Sequence, residues 1–166
     1  MIPPNIMDVF NLYEEMFAVV DALESGRIEY AVCGGLAVAI HGLVRATRDI
    51  DLLILREDLD RVLDVARRCG FNLDGGMLPM GAGEPVPRDM FRISKVIEKD
   101  LLTLDLLIVN STLQPAWEAR EYYEWQGRKL QAVSPAGLYL MKKLAARPKD
   151  LLDLQTLGLW PDDSTS

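Results

Sequence analysis

Residues 49 to 55 read Asp49-Ile50-Asp51-Leu52-Leu53-Ile54-Leu55, and this run constrains the fold more than any other part of the chain. It is too short and too apolar for most surface helices, and fits a strand near the centre of a sheet. Alternate side chains of a strand share a face, so Asp49 and Asp51 project together with roughly 6–7 Å between their Cα atoms. Desolvation and mutual repulsion oppose two bare carboxylates at the head of such a strand, and a shared divalent cation relieves both.

A third carboxylate, Asp105, stands inside Leu104-Asp105-Leu106-Leu107-Ile108-Val109. Aspartate is a poor strand former and a costly residue to bury alone, so Asp105 needs a partner. If its strand lies beside the first, the three aspartates form an oxygen-donor cluster suited to Mg2+, with Mn2+ as the substitute. Such a cluster serves phosphoryl chemistry, because a bound metal polarises the attacked phosphate and neutralises leaving pyrophosphate.

Around these runs the chain alternates helical and strand patterns. Residues 6–24 carry apolar groups at Val9, Leu12, Tyr13, Met16, Phe17, Val20 and Leu23, the spacing of an amphipathic helix ended by Gly26. Tyr30 to Cys33 reads as a short buried strand, Leu36 to His41 as a helix, and Glu57 to Cys69 as another helix closed by Gly70. Four glycines and three prolines between Gly75 and Pro87 predict a surface loop. Phe91 to Val96 and Leu101 to Val109 are strands joined by a turn at Glu98-Lys99-Asp100, followed by a helix over Pro115 to Tyr123 and a hairpin at Gln126-Gly127-Arg128. Ser134-Pro135 caps a helix that Pro148 interrupts, and Lys149 to Leu157 forms a last one. The expected class is α+β, a small mixed sheet flanked by helices, with one domain over residues 1–160 and a flexible polar tail over 161–166.

Composition narrows the chemistry. No apolar run approaches the roughly 20 residues of a membrane-spanning helix, and the N-terminus lacks the pattern of a secretory signal, so a soluble, cytoplasmic protein is expected. One histidine and two scattered cysteines, Cys33 and Cys69, leave no zinc-ligand cluster, and any metal must sit on oxygen. The net charge of −7 opposes broad, non-specific affinity for nucleic acid.

The run from Gly34-Gly35 through His41, Arg45, Thr47 and Arg48 to Asp49-Ile50-Asp51 resembles the signature of the nucleotidyltransferase superfamily, the polymerase-beta-like fold. It joins a glycine pair, a helix and an Asp-x-Asp strand, and Asp105 follows in the order that superfamily uses. Within it, the ending Leu140-Met141-Lys142-Lys143-Leu144-Ala145-Ala146-Arg147-Pro148-Lys149-Asp150 is similar to that of AbiEii-type abortive-infection toxins and minimal nucleotidyltransferases. The resemblance implies a nucleotidyltransferase fold with C-terminal helices, an NTP substrate and Mg2+ on Asp49, Asp51 and Asp105. It also implies that Gly34 and Gly35 contact phosphate, approached by Lys142 or Lys143.

Arg45, Thr47 and Arg48 precede the metal strand and are placed either to steer phosphate or simply to face solvent. His41 reads as a helix-end packing residue. Lys149, Asp150 and Asp153 suggest a salt-bridge cluster between helices. The expected activity is transfer of a nucleotidyl group to a hydroxyl of tRNA, protein or a small molecule, with an antitoxin partner if the toxin resemblance holds. A non-catalytic nucleotide- or partner-binding module is the alternative. A haloacid-dehalogenase-like phosphatase fits less well, because its Asp-x-Asp follows an apolar strand and this one precedes it.

Overall fold

The computed structural model describes residues 4–44, 47–83 and 87–159, with the backbone alone over 4–11. The strands β1 (Ala31–Cys33), β2 (Asp49–Ile54), β3 (Leu73–Met80), β4 (Arg88–Ile97), β5 (Asp100–Ile108), β6 (Glu121–Trp125) and β7 (Arg128–Ala132) form one mixed sheet in the order β3-β4-β5-β2-β1-β7-β6. β2 (Asp49–Ile54) is its middle strand, as its apolar run demands, and runs antiparallel to β1 (Ala31–Cys33) and parallel to β5 (Asp100–Ile108). β4 (Arg88–Ile97) pairs antiparallel with β5, β7 (Arg128–Ala132) parallel with β1, and β6 (Glu121–Trp125) antiparallel with β7. This is the α+β class read from the sequence.

Strand alternation divides the core in two. Val32, Ile50, Leu52, Ile54, Leu104 and Leu106 face a cluster that includes Met16, Val20 and Leu23 of α1 (Pro4–Ser25) and Val62 and Ala66 of α3 (Leu59–Arg68). Ala31, Cys33 and Leu53 face the other way. They meet Ala37 and Val38 of α2 (Gly34–Ile40), Trp117 of α4 (Gln114–Glu118) and Met141 of α5 (Pro135–Ala145). Ser134 caps α5 by accepting from the Gly137 amide at 3.2 Å, and Pro148 opens α6 (Pro148–Thr156), where its missing N–H costs nothing.

Two expectations are corrected. Much of the segment read as a loop from Gly75 to Pro87 is β3 (Leu73–Met80), paired along β4. As an edge strand it tolerates Pro79, and a register irregularity between Asp74 and Gly76 absorbs the glycines. The helix expected to reach Tyr123 stops at Glu118, because Glu121 to Trp125 pair with β7 instead. Gln126 and Gly127, both at positive φ, make the tight turn of that hairpin, and Trp125 packs edge-on against Tyr13 at 4.5 Å. Arg45 and the tail 161–166 lie outside the described residues.

Candidate functional site

The register across the sheet builds the site. Cys33 is opposite Asp51, Asp51 opposite Asp105, and Asp105 opposite Arg92, so these four residues form one row across β1, β2, β5 and β4. Directly paired residues share a face, and Asp49 joins Asp51 on it by strand alternation. It is the face that α4 and α5 cover further along, at Leu53. The adjacency of the two aspartate strands, inferred from sequence as a condition, is thus present.

Asp105 is buried and has its partner: Arg92 Nε donates to Oδ1 at 2.8 Å and Nη2 to Oδ2 at 3.1 Å, a bidentate fork. No Lys or Arg among the described residues forms an ion pair with Asp49 or Asp51. Burial, followed by repulsion from Asp105 and Asp49, pushes the Asp51 carboxyl up to about 7 against the opposing pull of Lys142 and Arg147. Asp49 is raised by burial and by Asp105, opposed by Arg92 and Lys149. Among the described residues no three acidic, histidine or cysteine side chains converge tightly enough to hold a metal as they stand. The donor chemistry nevertheless fits a divalent cation: two carboxylates on one face form no ion pair with a cation among the described residues, and the third is one strand away.

The glycine pair is required by this geometry before any ligand is considered. Gly34 has φ +65, and a Cβ there would collide with Asp51 Oδ2 and stand 2.8 Å from its Cγ. A Cβ on Gly35 would lie 2.8 Å from Thr47 Oγ1. The start of α2 therefore rests directly on the carboxylate row. Thr47 and exposed Arg48 also line a cavity of about 320 Å3 with Leu12, Ile97, Glu98, Asp100, Leu101 and Leu102.

The two C-terminal lysines part company. Lys143 is exposed, with its ammonium 5.4 Å from the centre of the Tyr139 ring. Lys142 is buried and bonds Asp150 at 3.1 Å and Asp153 at 3.0 Å. The expected salt-bridge cluster thus exists, but its cations are Lys142 and Arg147, while Lys149 is exposed. Burial alone would raise the Asp150 carboxyl; the hydrogen bonds from Arg147 and Lys142 outweigh it and hold it below its ordinary value. His41 Nε2 lies 2.8 Å from the Val133 carbonyl oxygen and its ring is edge-on to Tyr123, the packing role read from sequence. Cys33 and Cys69 are both free thiols. Burial, reinforced by Asp51 and Asp105, pushes the Cys33 thiol well up, which suppresses its nucleophilicity.

A seven-stranded mixed sheet flanked by helices, with Asp-x-Asp on its middle strand and a glycine pair before it, is the nucleotidyltransferase fold. Solved structures of that fold match most of the chain. The lincomycin-bound lincosamide antibiotic adenylyltransferase LnuA aligns over 87% of this chain and 95% of its own, at 18% identity and TM-score 0.58. ANT(2")-Ia in complex with adenylyl-2"-tobramycin aligns over 86% and 84%, at 17% identity and TM-score 0.57. A candidate nucleotidyltransferase from Thermotoga maritima aligns over 94% of both chains, at 14% identity and TM-score 0.58. In sequence, residues 15–80 match the model of the aminoglycoside-2''-adenylyltransferase family, a span that holds Gly34, Gly35, Asp49 and Asp51 and ends before Asp105. No curated protein matches the chain in sequence.

Proposed function

We propose that this chain transfers the nucleotidyl group of an NTP to a hydroxyl of a small, amine-bearing molecule. The observation that carries the reading is the row of Asp51 and Asp105 in register on adjacent strands, with Asp49 on the same face and Gly34 packed against Asp51. Asp49, Asp51 and Asp105 would hold Mg2+ or Mn2+, which when bound supplies charge neutralisation for the triphosphate. Gly34 and Gly35 would offer their backbone N–H groups to phosphate beside the carboxylates. Arg48 and the cations of the C-terminal helices add positive charge to an otherwise acidic molecule, with Lys142 acting from its clamp between Asp150 and Asp153. In the reaction the acceptor oxygen bonds the α-phosphorus, the bond from that phosphorus to the β-phosphate bridging oxygen breaks, and pyrophosphate leaves. The hydroxyl proton passes to Asp105.

The cavity beside Thr47 and Arg48 favours a small acceptor over tRNA or protein, being near the lower end of the roughly 300–1,000 Å3 usual for small-molecule sites. Glu98 and Asp100 in its wall favour a cationic amine, and the two solved structures hold amine-bearing molecules, lincomycin and adenylyl-2"-tobramycin. The toxin reading, with an antitoxin partner, rests on the Arg147-Pro148-Lys149-Asp150 ending alone.

The test is incubation of the protein with Mg2+, each labelled NTP and, in parallel, tobramycin, lincomycin, tRNA or cell protein, against Asp49→Ala/Asp51→Ala. Label on a small amino alcohol, lost in the variant, is the expected result. Label on tRNA or protein would move the acceptor class and restore the toxin reading. NTP binding without transfer to any acceptor would favour the binding module, and no NTP or metal binding would overturn the site.

A further inference from the structure

Arg92 stands at the β4 end of the carboxylate row, paired with Asp105, and nothing in its own sequence context marks it. Its fork engages both oxygens of a buried carboxylate, at 2.8 and 3.1 Å, so the guanidinium holds one lone pair of each oxygen and its charge opposes a second cation there. The same guanidinium is charged against Asp49 and Asp51 as well as Asp105.

The edge strand packs closely on Arg92: a Cβ on Gly75 would lie 3.1 to 3.2 Å from the Arg92 carbonyl oxygen, Cβ and Cγ. The β3 register shifts at that point, between Asp74 and Gly76. Arg92 is also asymmetric in its exposure. Its side chain is 43% exposed while that of Asp105 is 6% exposed, so the guanidinium can leave toward solvent while the carboxylate stays in place.

We propose that Arg92 is an internal counter-cation that holds Asp105 in the metal-free protein and hands it over when a divalent ion binds, making Arg92 a positioning residue that sets the affinity of the site. The inference rests on the reading of Asp49, Asp51 and Asp105 as metal ligands. With Arg92 in place one carboxylate charge of the row is already offset, and the ion must compete for the third ligand. With Arg92 swung out toward solvent, all three are open to it.

The test is Mn2+ affinity measured by electron paramagnetic resonance on the intact protein, without nucleotide, for wild type, Arg92→Gln, Asp105→Asn and the double variant. Loss of the competing ion pair is expected to tighten Mn2+ binding in Arg92→Gln by about fivefold or more. The gain should vanish in the Asp105→Asn background, where there is no carboxylate to release. Arg92→Lys retains a cation without the fork, and gives a smaller gain of the same sign should the glutamine variant fold poorly. Equal or weaker Mn2+ binding in folded Arg92 variants, with wild-type binding intact, overturns the handover and leaves the metal site standing. No Mn2+ binding by any of the proteins overturns the metal reading and this inference with it.

Discussion

Gly34 shows how a residue read as a phosphate contact can be constrained first by its neighbours. Its φ of +65 is a conformation that side chains rarely adopt, and its missing Cβ is what lets α2 rest on Asp51. Gly34→Ala is therefore expected to cost about 1–3 kcal/mol of stability in urea unfolding, from backbone strain and displacement of the carboxylate. Label transfer should be lost in the variant even where it remains folded. Asp49, Asp51, Asp105 and the glycine pair were all legible as residues, because each breaks a local rule: a charge in an apolar strand, or two glycines between strand and helix. Arg92 breaks none. Its pairing with Asp105 depends on the hairpin turn being the two residues Glu98-Lys99, from which Ile97 pairs with Asp100 and Arg92 with Asp105.

At the scale of elements, α5 and α6 form a unit locked by charge. Lys142 is enclosed with Asp150 and Asp153, and Arg147 caps the start of α6 through Asp150, donating from Nε at 2.7 Å and from its backbone N–H at 3.2 Å. Replacing one member leaves buried charge without compensation. Lys142→Met should destabilise the protein by about 3–5 kcal/mol. Asp150→Asn/Asp153→Asn added to Lys142→Met should recover part of that loss, a sign reversal that thermal unfolding of the set would reveal. Sequence spacing located the two aspartates and both candidate lysines, but helix geometry alone puts adjacent lysines about 100° apart without saying which turns inward. The packing of α6 on α5 made that choice. Similarly, Tyr122, Tyr123 and Trp125 carry β-forming side chains whose hairpin partner had to be found in β7, and the glycines and prolines of β3 disguised an edge strand as a loop.

Across the whole molecule, charge is arranged against its own mean. The chain carries −7, yet Arg92, Lys142, Arg147 and Lys149 all bear on the carboxylate face. This arrangement gives metal-free stability a pH dependence of defined sign. The Asp51 pKa is raised to about 7, so between roughly pH 4 and 7 the folded state holds a proton that the unfolded state has released. Stability must then fall as pH rises through that window. In EDTA, wild type should lose on the order of 1–2 kcal/mol relative to Asp51→Asn between about pH 5 and pH 8, a figure discounted for partial solvent access. Thermal denaturation of the two proteins at both pH values measures this, and parallel pH profiles would contradict it. The sequence by itself determined the fold class, the middle strand and three carboxylates in search of a cation, because apolar periodicity and misplaced charge are local properties. Only the tertiary structure decided that Asp51 and Asp105 stand in register, that Arg92 answers Asp105, and that Lys142 is clamped rather than free. Those facts depend on strand register and helix packing, which bring together residues far apart in the chain.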